Sequence, residues 1–376
     1  MEIKKHKIGI LSADNPFDRR VSSGTRFMMA EQLEQRGYEV VWIKIILPKM
    51  YMWRFLLLCI AKITGKTYLY RKTTRYCLKY VKTANKTLIE SCDVLMVAFF
   101  SGVCYGLATT KNILYFSDST FNLLDGYYYK NLSSWSRQQG NLIEQTALDK
   151  ATHIIVSSQW TKESVIKDYK ISQSKVSVVE FGPNLDECDI VDKTFVFNGE
   201  LHILFLGVDW QRKGGELALA AVRWLNNNGV NTILHIVGIK DLSEDIRKNP
   251  YVKNHGFMDK NVKPEYRRLV EIIQMSHCLL LPTKAECAGI VFCEASANGL
   301  PSFSHKTGGI PNYVINGENG YLLPVGASGE DFGRKIKECL LSGEMERMSE
   351  TAKLVYKEKL NWNTWGDSVQ NIIESL

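Results

Sequence analysis

The sequence predicts an α/β fold made of two doubly wound halves, each with its own parallel sheet. Its 376 residues exceed the size of most single hydrophobic cores, so two domains are expected. Short apolar runs alternate with helix-compatible stretches, which is the order typical of parallel sheets. The alternation starts again at 201–207, an unbroken apolar strand that follows the polar stretch 186–200. A content of 45% hydrophobic residues is sufficient for two such cores.

The first half begins with a strand, a loop and a helix. The helix is predicted from about Thr25 to Arg36, because Gly37 can end it. Another helix is expected after Gly140, where an amphipathic pattern begins. The predicted strands of this half are 7–13, 38–46, 93–99, 112–118, 152–158 and 175–186.

The second half repeats this alternation and ends in helices. Strands are predicted at 201–207, 232–238, 251–256 and 277–283. Helices are predicted at 216–229, over 331–359 and after NWNTW at 361–365.

The stretch 282–324 contains the most informative loop of the chain. An apolar strand ends at Pro282, and a helix is expected to start near Ile290. Gly299 suits a left-handed cap at the end of that helix, and Pro301 prevents its continuation. Unpaired backbone amides at such a helix start attract anions. The stretch therefore predicts an anion site at the end of a strand.

Two glutamates eight positions apart flank this helix start. Glu286 lies in the loop and Glu294 just over one turn inside the helix, so both can face one ligand. A pair with this spacing alone more often consists of solvated surface acids. Together with Gly-Leu-Pro at 299–301 and TGGIP at 307–311, however, it resembles the C-terminal domain of family-4 retaining glycosyltransferases.

This resemblance implies the GT-B fold, in which two Rossmann-like domains face each other across a cleft and a C-terminal helix crosses back to the first. It implies an acceptor-side domain at 1–190, a nucleotide-sugar-binding domain at 191–355 and the crossing helix at 356–376. Glu286 would be catalytic beside the donor sugar, and Glu294 would bind the ribose hydroxyls. Gly289, Ile290 and Val291 would bind the donor at the helix start.

A second donor-binding element follows strand 201–207. Lys213 and Gly214 lie at a strand-to-helix turn, where a lysine and a close backbone can hold a diphosphate. The family has Gly-Arg, four residues, then Lys-Gly. Here Val208 occupies the arginine position, and we expect Arg212 to supply the second positive charge. The alternative is a solvated surface arginine.

Two predicted site residues belong to the first half. The family often has two glycines in the first strand-to-helix loop, and Gly24 occupies the nearest place as a donor-binding residue; a purely structural glycine is the alternative. Asp118 follows a predicted strand directly, which points it toward a ligand. It stands where much of the family has a histidine, and the resemblance makes it catalytic. The alternative is a helix or turn cap.

The basic excess of the chain is confined to one segment. Residues 40–89 contain eleven Lys and Arg, from Lys44 to Lys86, and no Asp or Glu, whereas the whole chain has a net charge of +7. Aromatic residues and leucines alternate with these cations at helical spacing. One interpretation is a helix pair on an anionic membrane surface, with Trp53 and Phe55 at the interface. The other is a packed helix pair with a solvated basic face. A nucleic-acid partner is not expected, because no known binding pattern accompanies the charge.

Other features of the sequence limit the possible functions and locations of the protein. Nine cysteines without paired metal spacing indicate reduced, mostly buried thiols of a cytoplasmic protein. The chain shows no signal-peptide pattern and no run long enough to span a bilayer, so peripheral attachment to the cytoplasmic face is the expected membrane association. No G-x-G-x-x-G follows either first strand, which disfavours a dinucleotide oxidoreductase. His255, in the turn where the family receives the base, is interpreted as structural.

The resemblance implies a metal-independent hexosyltransferase without a cofactor, whose co-substrate is a UDP- or GDP-sugar. The expected acceptor is a glycan or a lipid-linked oligosaccharide, in the synthesis of a surface polysaccharide or glycolipid. Two alternatives remain open. One is a nucleotide-sugar epimerase of GT-B fold, and the other is a non-catalytic nucleotide-sugar-binding relative.

Overall fold

The computed structural model describes residues 6–376, which divide into two compact units. The first unit extends to Val179 and also includes Gly366–Leu376, whereas the second comprises Glu180–Trp365. The polar stretch 186–200 belongs to the second unit, where the Lys193 ammonium donates to the carbonyl of Gln274 at 2.8 Å. Each unit is a parallel α/β layer structure, as predicted.

The first unit contains a six-stranded parallel sheet in the order β2-β1-β3-β4-β5-β6. Its strands are β1 (Lys7–Ser12), β2 (Glu39–Lys44), β3 (Val94–Ala98), β4 (Asn112–Ser117), β5 (His153–Val156) and β6 (Val176–Val178). All six lie within predicted strands. Strands β3 and β4 are almost fully buried, which explains their unbroken apolar runs.

Eight α-helices accompany this sheet. They are α1 (Thr25–Gln35), α2 (Tyr51–Thr64), α3 (Thr74–Val81), α4 (Lys86–Glu90), α5 (Ser101–Gly106), α6 (Phe121–Leu124), α7 (Ser134–Lys150) and α8 (Gln159–Lys167). The prediction that a helix begins after Gly140 was wrong, because α7 starts six residues earlier, where the Ser133 side chain caps it. Gly140 lies inside this helix. Glycine is needed at that position because a Cβ there would come within 2.1 Å of the Phe121 ring.

The two helices of the basic segment differ in burial. Helix α3 packs into the core through Tyr76, Cys77, Tyr80 and Val81. Helix α2 buries only Leu57. The segment therefore combines a packed helix with an exposed one, so neither sequence interpretation describes both.

The second unit contains another six-stranded parallel sheet, in the order β12-β11-β10-β7-β8-β9. Its strands are β7 (Leu201–Leu206), β8 (Thr232–Val237), β9 (Val252–Gly256), β10 (Cys278–Leu281), β11 (Ser302–His305) and β12 (Gly320–Leu323). The helices are α9 (Gly215–Asn227), α10 (Glu244–Arg247), α11 (Lys263–Met275), α12 (Ile290–Ala297), α13 (Gly329–Leu341), α14 (Glu344–Glu358) and α15 (Trp362–Glu374).

Helix α15 begins in the second unit and ends in the first. In the second unit, the Trp362 indole donates to the carbonyl of Pro183 at 2.8 Å, and Trp365 is fully buried. In the first unit, Asp367 accepts from the Arg36 guanidinium at 2.6 Å. These contacts anchor each part of the helix within its own unit.

Four histidines lie side by side across the second sheet. A nitrogen-to-nitrogen distance of 3.0 Å joins His202 to His235, and a second of 3.0 Å joins His235 to His255. His277 accepts from the backbone N–H of His202 at 2.8 Å. Burial is the main cause that lowers the pKa of every one of these imidazoles, to about 3 for His235 and to about 4 for His277. His255 therefore has the structural role that the sequence indicated.

Candidate active site

The loop after β7 brings two cations to the carboxyl end of the second sheet. Gly214 precedes α9 with φ +78°, in the left-handed region that glycine adopts without strain. A Cβ there would lie 2.0 Å from the carbonyl oxygen of Pro282, so only glycine allows this approach. The loop that carries Arg212 and Lys213 is thereby pressed against the loop that follows β10.

Lys213 and Glu286 form a buried ion pair between these loops. The lysine ammonium contacts the Oε2 carboxylate oxygen of Glu286, and the two side chains are only 11% and 14% exposed. Nη1 of Arg212 lies 3.7 Å from the same oxygen. The structure thus brings together three of the predicted site residues, and Arg212 lies beside Lys213 as expected.

Backbone hydrogen bonds hold the cluster in place. The N–H of Lys284 donates to the carbonyl of Arg212 at 2.8 Å, and the Arg212 guanidinium donates to the carbonyl of Ala285 at 2.9 Å. The N–H of Gly309 donates to the carbonyl of Glu286 at 3.2 Å. Three loops, after β7, β10 and β11, therefore share one hydrogen-bond network, which restricts the motion of Glu286.

Helix α12 begins beside this cluster, as the sequence predicted. Gly289 has φ +94°, and no side chain caps the helix. A Cβ on Gly289 would lie 2.6 Å from the Phe292 ring. Ile290 is half-buried and Val291 is buried among apolar neighbours, so what these residues offer a ligand is their backbone N–H groups.

Glu294, one turn into α12, pairs with a lysine that the sequence analysis missed. The Lys260 ammonium donates to Glu294 at 2.5 Å and to the carbonyl of Asn184 at 3.1 Å. Glu294 is only 4% exposed, so the ion pair compensates a buried carboxylate. Lys260 lies 34 positions earlier in the chain, and its one sequence signal is its place just after a predicted strand.

Asp118 lies in the first unit, directly after β4. Its backbone carbonyl accepts from Thr161 at 2.7 Å, and its carboxylate accepts from Ser119 at 3.3 Å. The side chain that caps the following helix α6 belongs to Thr120, not to Asp118. The half-buried carboxylate is therefore not used as a helix cap.

Gly24 also lies in the first unit, at the start of α1. Its φ of +92° places it in the left-handed region, which glycine adopts without strain. As the N-cap residue of α1, it contributes no side chain to the start of that helix.

The cysteines of the described residues are mostly buried, as predicted. Seven of the nine are buried, whereas Cys59 and Cys188 are exposed. Cys293, next to Glu294, donates to the carbonyl of Phe181 at 3.1 Å, and burial raises the pKa of its thiol. Among residues 6–376, no three His, Cys, Asp or Glu side chains are arranged to hold a metal ion.

The comparison with protein families finds a match for most of the second unit. Residues 188–355 match the family model of the glycosyl transferases group 1. The capsular polysaccharide biosynthesis glycosyltransferase CapM of Staphylococcus aureus is 24% identical over 199 residues, which are 49% of this chain and 51% of CapM. The chain spans about half the length of the curated relatives it matches.

Similarity to solved structures extends over both units. A glycosyltransferase from Rickettsia africae has a TM-score of 0.69 at 15% identity and covers 99% of this chain and 98% of its own. Anabaena HepE in complex with UDP and glucose has a TM-score of 0.64 at 14% identity, with 99% and 100% coverage. Residues 188–355 therefore resemble the glycosyl transferases group 1 family, within a chain that has the GT-B fold.

Proposed function

We propose that this protein is a family-4 retaining glycosyltransferase that moves a hexose from a nucleotide sugar to an acceptor hydroxyl. The observation that carries the proposal is the buried cluster of Arg212, Lys213 and Glu286 beside the uncapped start of α12. Two cations and a helix N-terminus can stabilise a diphosphate leaving group, and a carboxylate within the same cluster can contact the transferred sugar.

Donor binding would exchange the partner of Lys213. In the structure the Lys213 ammonium contacts Glu286, so the diphosphate competes with this carboxylate for the same cation. When phosphate oxygens take the Lys213 and Arg212 positive charges, Glu286 becomes available to accept a hydrogen bond from a sugar hydroxyl. Donor binding therefore also releases the Glu286 carboxylate from Lys213 for its contact with the sugar.

Retention of configuration follows from attack on the face from which the nucleotide leaves. The leaving phosphate accepts the proton of the acceptor hydroxyl while the new glycosidic bond forms on that face. Lys213, Arg212 and the amides of Ile290 and Val291 stabilise the charge that develops on the phosphate. We assign Asp118 a second sugar contact, and we expect no metal requirement because the cations supply the charge.

The nucleoside is assigned to the pair Glu294 and Lys260. A buried carboxylate held by one ammonium retains further lone pairs, which suit two ribose hydroxyls. The donor is proposed to be a UDP- or GDP-sugar, and the UDP complex of Anabaena HepE supports the former.

The acceptor is proposed to be a surface glycan or a lipid-linked oligosaccharide, which agrees with the name of the Staphylococcus relative. Helix α2 supports a membrane location, since Met52 is 87%, Phe55 69% and Ile63 84% exposed beside Arg54 and Lys62. Trp53 does not belong to this face, because it packs against Trp135 at a ring distance of 6.2 Å. No helix among residues 6–376 is long and apolar enough to cross a bilayer.

The test is nucleotide release from a panel of UDP-, GDP-, ADP- and CMP-hexoses by the purified protein. We expect release from one donor and its loss in Lys213→Ala and Glu286→Ala. Lys248→Ala is the matched control, because this lysine is exposed and belongs to the second unit. Absence of release together with absence of nucleotide binding would contradict the proposal and favour a non-catalytic relative.

The same panel separates the proposal from an epimerase. An epimerase changes the sugar while it stays on the nucleotide, and it does so without an acceptor. NMR of the donor after incubation distinguishes the two reactions. Epimerised donor without free nucleotide would contradict transfer.

A further inference from the structure

A cavity of about 350 Å³ is lined by residues of the first unit. Three of its lining residues are cations, Arg26, Arg71 and Lys72, and Asp14 is its one carboxylate. Part of the remaining wall is aromatic, from Tyr76, Tyr80, Phe99 and Phe100. The cavity lining therefore combines positive charge with aromatic surface.

Arg26 is a buried cation with weak compensation. Its side chain is 11% exposed and lies 3.8 Å from Asp14, and its only hydrogen bond to a described residue is a 3.4 Å contact with the carbonyl of Ala98. Its Nε is buried and makes no hydrogen bond to any described residue. Burial lowers the pKa of Arg26 more than the nearby Asp14 raises it. An anion in the cavity would restore the missing compensation.

The other two cations are also available. Arg71 donates to the hydroxyl of Tyr70 at 2.8 Å, and neither Arg71 nor Lys72 forms an ion pair with a described residue. No acidic residue occurs between Val40 and Ile89, so this part of the chain cannot neutralise them. The lining residues therefore comprise three cations and one carboxylate, and the buried Glu144 also attracts Lys72.

The backbone at the cavity is strained. Phe99 follows β3 and has φ +60°, a left-handed conformation that aromatic residues rarely adopt. This conformation is held by its N–H, which donates to the carbonyl of Phe116 at 2.9 Å. Strain of this kind is typical of ligand-binding sites, where the surrounding structure enforces it. Phe99 also lies beside Arg26, whose guanidinium carbon is 6.0 Å from the ring centroid.

We infer that this cavity binds a phosphate ester, with the phosphate on Arg26, Arg71 and Lys72 and the apolar or sugar part of the ester against Tyr76, Tyr80 and Phe100. Phosphate suits this set because arginine and lysine both bind its oxygens through charge-assisted hydrogen bonds. The further identification of the ester as the acceptor rests on the proposed function. The anion site itself does not.

The experiment measures binding of two esters to the full-length protein by calorimetry. Decyl phosphate below its micelle concentration represents a lipid phosphate, and glucose 1-phosphate represents a sugar phosphate. We expect at least one to bind, and Arg71→Gln and Lys72→Gln each to weaken it by about tenfold. Lys79→Gln is the control, because Lys79 is exposed on the same segment and does not line the cavity.

The two esters distinguish a lipid phosphate from a sugar phosphate as the ligand. Binding of either one supports the site if it is weakened in the Arg71→Gln and Lys72→Gln variants. Absence of binding by both esters, or equal binding by the Arg71→Gln/Lys72→Gln double variant and the wild type, would overturn the inference. Thermal unfolding of each variant verifies that it is folded. Since Lys213 lies in the other unit, Lys213→Ala should still bind the ester. If the protein releases no nucleotide, ester binding should still be observed. If the cavity binds no ester, nucleotide release should still be observed.

Discussion

Acidification should destabilise the second unit through its row of histidines. His235 is fully buried and bonded at 3.0 Å to an imidazole on each side, so its protonation would add a charge without a partner carboxylate. Burial and the neighbouring His255, His202, Lys253 and Arg268 all lower its pKa, to about 3. The unfolded chain binds this proton with the ordinary histidine pKa of about 6.5.

The sign and the size of the effect follow from proton linkage. Above about pH 6.5 the imidazole is neutral in both states, so it adds no pH dependence. Below that pH the unfolded state binds a proton that the folded state does not, and the free energy of unfolding falls by about 1.4 kcal/mol per pH unit. The expected loss from His235 at pH 5 is therefore about 2 kcal/mol. His277, which is partly exposed, should add a smaller loss of the same sign.

Hydrogen exchange of the amides of β7 and β8 at pH 7.5 and pH 5, corrected for the intrinsic exchange rates, measures this loss in the second unit. His235→Phe is the comparison, because it retains the other titrating groups. The variant should be less stable at pH 7.5, since His202 and His255 lose a bond, but its stability should fall less on acidification, by about 2 kcal/mol. An equal fall in both proteins would refute the reasoning.

Three further predictions concern the site and the surface. In urea unfolding, Lys213→Met and Glu286→Gln should each destabilise the protein by about 3 kcal/mol, because each leaves a buried charge without its partner. The double variant should lose clearly less than the sum of the two, and additive losses would show that the pair is not coupled. Gly214→Ala should cost about 3 kcal/mol and prevent nucleotide binding, because its Cβ would meet the carbonyl of Pro282; a normal melting temperature would contradict this. Phe55→Ser should weaken sedimentation with anionic vesicles severalfold at unchanged melting temperature, and unchanged sedimentation would exclude α2 as the contact.

Elements with strong local signals could be predicted closely. Strands β3 and β10 are unbroken apolar runs in which every residue is buried, and this burial is visible in composition alone. Helix α12 was located from Gly299 and Pro301, whose backbone preferences do not depend on the rest of the fold. Gly140 shows the limit of such reasoning. It suggested a boundary, but its small size serves the packing of Phe121 inside a helix.

The candidate site was predictable only in part. The loops that carry Arg212, Lys213 and Glu286 could be recognised from motifs. The partner of Glu294 could not, because Lys260 belongs to no motif and lies 34 positions away in the chain. The burial of α3 and the exposure of α2 were likewise undecided, since both helices have similar basic and aromatic composition.

The sequence by itself determined the order of strands and helices, the glycine-containing turns and the location of the basic excess. These depend on backbone preference and hydrophobic period, which act over a few residues. Only the tertiary structure decided that Lys213 contacts Glu286, 73 positions away, that four histidines share one row, and that three cations surround one cavity. Such contacts arise from the order in which strands pair and from how side chains fill the space between them, and short sequence patterns do not record either.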